Sequence, residues 1–218
     1  RSLRTFPTGD AFSDEAIRVM ESCHKKLLTG TTDDRLLKGL EIEYRLFKSV
    51  EQKLCSGEIA GPFLDVDAFL QTAATIMNRR KSRAGRSLEN HVDEAMTREG
   101  IPHDIRARDI QGAPDIVVPN VAAYMDPKWP RSRVFVIGVK TTCKDRWRQI
   151  VNEGPLVKRK YLLTTQQGIS EPQLAEMARS NVTLVVPQGL HSYYPPSARK
   201  GILTVDRFFA QMQNALDA

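Results

Sequence analysis

The sequence predicts an α/β fold, a mixed β-sheet flanked by helices, with a helical layer supplied by the N-terminal part. Three observations carry that expectation. The first hundred residues repeat apolar side chains at helical spacing. The second half holds five short β-branched or apolar runs bounded by Gly, Pro or Asn. Helical stretches separate the later runs, as sheet crossovers require.

Taken in order, Ser13 followed by Asp14 and Glu15 predicts a capped helix start, and Gly30 a stop. Leu36, Leu40, Phe47, Val50 and Leu54 keep helical spacing up to Gly57. A third helix is expected over 66–80, after Pro62 and with Asp65 as its cap. KSRAGRS at 81–87 reads as a basic, flexible linker, and LENHVDEAMTREG at 88–100 as a fourth helix ending on Gly100. Strands are expected at 102–110, 115–118, 134–140, 159–165 and 182–187. Helices are expected at 144–153, at 170–180 with Ser170 as cap and Pro172 in the first turn, and at 204–216 through Phe208, Phe209, Met212 and Leu216. The stretch 119–132 (PNVAAYMDPKWPRS) reads as a long irregular connection.

At 218 residues the chain can bury a substantial core. It reads as a single domain, helical over about 1–100 with the sheet core over about 101–218. No apolar run approaches the roughly 20 residues that span a bilayer. The opening RSLRTFPTG has no signal-peptide h-region and fits a piece of a longer chain. Cys23, Cys55 and Cys143 are odd in number and far apart, which argues against a disulfide framework or a zinc site and for a reducing cytoplasm. A net charge of +6 favours a polyanionic partner such as nucleic acid.

Two short stretches carry chemistry. Asp115 follows Pro114 at the start of one apolar strand, and Lys140 ends a longer one, VFVIGVK. If those strands are neighbours, a carboxylate and an ammonium meet at the end of the sheet. Phosphodiester hydrolysis uses such a pair: the carboxylate holds Mg²⁺, and the lysine orients or deprotonates the attacking water and offsets charge on phosphorus. A hard cation needs a second acid, yet the triplet before the lysine is Gly138-Val139-Lys140. Glu153, if the helix from Lys144 returns it over the strand end, and Glu89, on the helix after KSRAGRS, are the candidates. An acid restored at Gly138 is then expected to replace Glu153 in part.

Read singly, a Pro-Asp before a strand is a turn and a strand-end lysine a solvated edge residue. The stretch TTCKDRWR at 141–148 joins them. Lys144 and Arg146 suit guanine O6 and N7, and the Asp145 carboxylate suits cytosine N4, so three adjacent side chains could read a G·C-rich step. Arg148, with Lys81, Arg83 and Arg86 of the basic linker, would hold phosphates.

Asp115, Lys140 and Glu153, joined to K-T-T-x-K-D-R-W-R, resemble the PD-(D/E)xK type II restriction endonucleases, in the EcoRII-like branch whose second acid lies on a following helix. The resemblance implies that nuclease fold and Mg²⁺-dependent cleavage of double-stranded DNA at CC(A/T)GG, ahead of the first cytosine. It also implies a homodimer in a bacterial cytoplasm, with no cofactor beyond the metal. Asp115 and Glu153 would then be metal ligands, Lys140 the catalytic lysine, and Glu89, from the stretch Arg83, Gly85, Glu89, a support. Lys144, Asp145 and Arg146 would read the half-sites. Relatives flip the central bases, and Tyr44 and Arg45, with Phe47, could stack on a flipped base, although core packing is the expected role of the aromatics on these helices. The family's N-terminal effector domain is not expected within these residues. A structure-specific repair or resolving nuclease of the same fold would keep the acids and Lys140 without base contacts at 144–146. A DNA-binding module with a decayed site would follow from the missing triplet acid.

Overall fold

The computed structural model describes residues 5–24, 29–143 and 146–218. The chain divides into two compact units, Arg1–Thr29 with Lys38–His91, and Gly30–Leu37 with Val92–Ala218. Among the described residues no helix is long and apolar enough to cross a membrane.

The first unit is helical. Helix α1 (Gly9–Cys23) starts five residues before the sequence-based expectation, because Thr8 and not Ser13 is the cap, its Oγ1 accepting from Ala11 N at 3.2 Å. Ser13 lies inside the helix, buried, and donates to Glu43 Oε2 at 2.8 Å. Helix α2 (Thr32–Ile59) runs through Gly57. Helix α3 (Val66–Arg98) opens on the Asp65 cap, which accepts from Ala68 N at 2.7 Å.

KSRAGRS is not a linker. It is the middle of α3, one continuous helix of 33 residues. Lys, Arg and Ala are good helix formers, and a single interior glycine costs only about 1 kcal/mol. Packing more than offsets that cost: Arg83 reaches the buried Glu43 at 3.0 Å, and Arg80 reaches Glu51 at 2.6 Å. Gly100, at φ 69°, ends the run as expected, with Ile101 N donating back to Met96 O at 2.9 Å.

The second unit holds a five-stranded sheet in the order β1 (Asp104–Ile105), β2 (Ile116–Val118), β3 (Phe135–Val139), β4 (Lys160–Leu163), β5 (Val182–Val185). The first two pairings are antiparallel and the last two parallel, so the sheet is mixed as expected. The strands β2, β3 and β4 are buried at every position, which is why they read as continuous apolar runs. The first strand is far shorter than 102–110, because Arg106 turns to φ 53°. The 119–132 connection contains α4 (Val121–Met125) and a 3-10 turn at Arg131–Arg133. Helix α5 (Trp147–Val151) packs on the sheet face through Trp147 and Ile150. Helix α6 (Glu171–Arg179) has Ser170 at its N-cap and Pro172 in its first turn. The short α7 (Pro196–Arg199) precedes α8 (Val205–Asp217), which Thr204 caps, its Oγ1 accepting from Arg207 N at 3.1 Å.

The start of α2 belongs to this second unit because two helix N-termini cap each other. Asp33 accepts from Val205 N at 2.9 Å, Asp206 N at 3.1 Å and Gln188 N at 2.8 Å. Asp206 accepts in return from Thr32 N at 2.9 Å and Asp33 N at 3.4 Å. Each carboxylate satisfies the orphan donors, and meets the positive dipole end, of the other helix. Asp33→Ala would leave three N–H groups without their acceptor and is expected to destabilise the fold by about 2–4 kcal/mol. Denaturant titration checks this, and a loss below about 1 kcal/mol would mean that water replaces the carboxylate.

Candidate active site

The site is assembled by three segments of the second unit. The first is the turn before β2. Gly112 at φ 85° and Ala113 at φ 47° bring the chain sharply round to Pro114 and Asp115. A left-handed alanine is held against its preference, and such strain concentrates where geometry is functional. Backbone bonds fix the turn: Arg106 N donates to Asp115 O at 2.6 Å and Ala107 N to Pro114 O at 3.1 Å.

The second segment is the end of β3. Ile116 pairs with Ile137, so one residue earlier Asp115 lies across from Gly138. Its Oδ2 accepts from Val139 N at 2.6 Å and from Lys140 Nζ at 2.6 Å, and its Oδ1 from the same Nζ at 2.9 Å. The strand-neighbour condition set by the sequence is met. Carboxylate and ammonium form a partly buried ion pair, with side-chain exposures of 15% and 18%.

The third segment carries Glu153, by a different route from the one expected. Helix α5 covers only Trp147–Val151, so Arg146 sits at its N-cap and Glu153 beyond its C-cap, Asn152. Arg146 and Gln149 face solvent whereas Glu153 is buried, in the turn beyond the helix expected to carry it. Gly154, at φ 55°, turns the chain after Glu153, and its N–H is taken by Gln111 O at 2.9 Å. This pins Glu153 against the turn before β2 so closely that a Cβ on Gly112 would stand 2.8 Å from Glu153 Cα.

The absent triplet acid also has a physical cause. A Cβ at position 138 would lie 2.7 Å from Ile150 Cγ1 and closer still to its Cδ1. Ile150, fully buried in α5, fills the space where that acid would stand. An acid at 138, expected to replace Glu153 in part, would have to move the Ile150 side chain, a cost that works against the rescue.

Burial, and then the neighbouring Asp115 carboxylate, push Glu153 up to about 7, against the pull of Lys140 and Lys160. Its Oε2 is buried without a hydrogen-bond partner. Among the described residues no three His, Cys, Asp or Glu side chains form a metal cluster. Two carboxylates, one with an orphaned oxygen, are nevertheless a donor set that fits a hard divalent cation completed by backbone, water and phosphate oxygens.

Lys144 and Asp145 lie outside the described residues. Arg146 is exposed, and Arg148, 57% exposed, pairs with Glu176 at 3.1 Å and stacks on Trp147 at 5.3 Å. Lys81 is exposed and Arg86 half-buried, 4.0 Å from Asp10. Arg83 is not the solvated cation expected of a linker. Its guanidinium is held by Glu43 and stacks on Phe47 at 4.5 Å. Glu89 is a half-buried residue of α3 in the helical unit. Of the flipped-base candidates Tyr44 and Arg45 are exposed, Arg45 paired with Glu41, while Phe47 is core. Lys160 is the residue that sequence reasoning missed. In KRKYLL it looks no different from Lys158 and Arg159, yet they are exposed and it is 2% exposed.

The fold is that of the type II restriction endonucleases. The chain superposes on Ecl18kI in a metal-depleted complex with uncleaved, modified DNA, with TM-score 0.79 and 19% identity over 96% of this chain and 79% of that one. PspGI in a substrate DNA complex gives TM-score 0.77 and 16% identity over 97% and 94%. The EcoRII C-terminal family model matches residues 47–209, and the chain belongs to that family. It is 40% identical over 182 residues to the type II restriction enzyme EcoRII of Escherichia coli, covering 83% of this chain and 45% of that enzyme. The chain thus spans under half the length of this relative.

Proposed function

We propose that this chain is the nuclease part of a type II restriction endonuclease, hydrolysing phosphodiester bonds of double-stranded DNA at CC(A/T)GG, ahead of the first cytosine. The observation that carries the reading is the convergence of Asp115, Lys140 and Glu153 at the end of the central strand pair. Asp115 and Glu153 would hold Mg²⁺, which supplies a polarised phosphoryl oxygen and an acidified water. Lys140 brings a fixed positive charge to the phosphate and can orient the attacking water. Asp115 holds that ammonium in place through two oxygens. Glu89 is proposed as a support of the same site. Incubating supercoiled plasmid and defined-sequence duplexes with and without Mg²⁺ tests the reading. Cutting confined to CC(A/T)GG supports it, and absence of Mg²⁺-dependent cutting overturns it.

Lys144, Asp145 and Arg146 are proposed as base-readers, with Arg148, Lys81 and Arg86 on phosphates. Arg146→Ala should cost about 1–3 kcal/mol of discrimination at its base pair. Arg148→Ala should weaken binding to all sequences alike and lower the salt slope by about one. Equal losses on specific and random DNA for Arg146→Ala, measured by filter binding, would make it a backbone contact.

A near-palindromic target is matched by a two-fold dimer in which each subunit reads one half and cuts one strand. Sedimentation with target DNA is expected to give two protein chains per duplex, and one chain per duplex would overturn the homodimer.

A further inference from the structure

Lys160 heads β4, between Val136 of β3 and Val182 of β5, in the interior of the sheet. A lysine in such a place is costly. Taking an ammonium out of water costs several kcal/mol unless its donors are satisfied, and an apolar side chain would fill the volume without that cost. Burial accordingly draws Lys160 down to about 8, opposed by the charge of Glu153.

The partners of the ammonium say what it does there. Nζ donates to Gly154 O and Val157 O, two carbonyls of the turn that directly follows Glu153. The same turn is closed by Val157 N donating to Gly154 O at 3.2 Å, and tied to the Asp115 turn by Gly154 N donating to Gln111 O at 2.9 Å. The turn is therefore held by the buried cation from below, by the Gln111 backbone bond from the side, and by Leu156 N donating to Tyr124 Oη at 3.1 Å. Within the site the charges fall into two sets. The Lys140 ammonium is bonded to Asp115, and Lys160 is the other cation acting on Glu153. Without it, Glu153 would face the Asp115 carboxylate from a turn whose Val157 carbonyl has lost its donor and whose Gly154 carbonyl keeps only the Val157 N–H.

We propose that Lys160 is a positioning residue for the nuclease site, clamping the Gly154–Val157 turn so that the Glu153 carboxylate is held beside Asp115. The proposal rests on the nuclease reading given above. It makes Lys160 an outer support of an acid ligand, and loss of such support costs about 10–100-fold in metal affinity or activity.

The test is a double-mutant cycle in the whole chain. Lys160→Met keeps the stem volume and removes charge and donors. Expected are a folded protein by circular dichroism and metal-free binding of target DNA within about twofold of wild type. The single-turnover cleavage rate should fall at least about tenfold. In Glu153→Gln/Lys160→Met the rate should match that of Glu153→Gln alone, because a support has nothing left to position. A readout without cleavage uses Mn²⁺ as the probe on DNA-free protein. The rise in unfolding midpoint on adding Mn²⁺ should shrink in Lys160→Met and vanish in Glu153→Gln. Should Lys160→Met not fold, Lys160→Gln, which keeps one donor, enters the same cycle. A wild-type rate in the single variant overturns the proposal. So does a double variant slower than Glu153→Gln by the full factor of the single change, since Lys160 would then act independently of Glu153. A chain that does not cut, or Glu153→Gln cutting at the wild-type rate, fails the nuclease reading instead.

Discussion

Asp115→Ala is expected to abolish Mg²⁺-dependent cleavage while specific DNA binding survives. The Asp115 carboxylate does three things in the structure. It accepts from the Val139 N–H, it holds both directions of the Lys140 ammonium, and it faces Glu153 as a like charge. None of these involves Arg146, proposed to read bases, or Arg148, proposed to hold a phosphate. Removing it leaves a strand-end N–H without its acceptor, a cost of about 1–3 kcal/mol to the fold, and frees Lys140 from its fixed position. Asp115→Asn separates the two effects, since its amide oxygen can still accept from Val139 N–H. Both variants should lose about 10²–10⁴-fold in rate, as when other positioned reactive groups are removed. Lys140→Ala should lose as much. Without divalent ions Asp115→Ala should bind DNA at least as tightly as wild type, because one carboxylate facing the phosphates is gone. Nicking assays beside gel-shift titrations measure both quantities. Substantial Mg²⁺-dependent cutting by Asp115→Ala would remove Asp115 from the site.

The sheet and half of this site were legible in the sequence for a simple physical reason. β2, β3 and β4 are buried on both faces, so they stand out as unbroken apolar runs, and a charged residue at the end of such a run marks where the strand meets solvent. Asp115 and Lys140 could therefore be placed at one sheet end from their position in those runs alone. The helices were legible in existence but not in extent. KSRAGRS reads as a linker by its charge and glycine, although its Lys, Arg and Ala suit a helix, and its long-range partner Glu43 adds support that the local sequence does not show. That partner lies 40 positions away, where local pattern carries no information. Glu153 was chosen correctly as a residue that the structure brings beside Asp115, but by a wrong geometric argument. It assumed a helix over 144–153, whereas α5 spans only Trp147–Val151 and Glu153 lies in the turn beyond it. Ser13 failed similarly: it has the chemistry of a cap, yet Thr8 takes that place and Ser13 serves Glu43. Lys160, the Asp33–Asp206 exchange and the filling of the Gly138 face by Ile150 each depend on contacts across the fold, and a sequence read one window at a time offers no signal for them.

Glu153→Gln is expected to stop cleavage and, at the same time, to remove a destabilising element from the metal-free fold. The acid is 7% exposed, has an oxygen with no hydrogen-bond partner and stands beside a second carboxylate. Its folded value of about 7 lies above its ordinary 4.5. The sign follows from proton linkage. A carboxyl group that holds its proton more tightly when folded makes the native state bind more protons than the unfolded one between those two values, so native stability falls as pH rises through that window. Above about pH 7 the whole penalty is present, with a ceiling of about 3 kcal/mol for a displacement of this size. Glutamine cannot titrate. The stability of Glu153→Gln should therefore decline less than that of wild type between pH 5 and pH 7.5, whatever the amide's own contacts contribute at a single pH. Adding Mg²⁺ at pH 7.5 should stabilise wild type, by offsetting the paired carboxylates, and leave the variant nearly unchanged. An acid kept buried and unsatisfied at a cost to stability is what a site that must receive a cation requires. Chemical denaturation at the two pH values, with and without Mg²⁺, measures the stability, and cleavage of a CC(A/T)GG duplex measures the rate. Parallel pH curves together with wild-type cutting would mean that the second acid is not Glu153, and would make Glu89→Gln the next variant to measure.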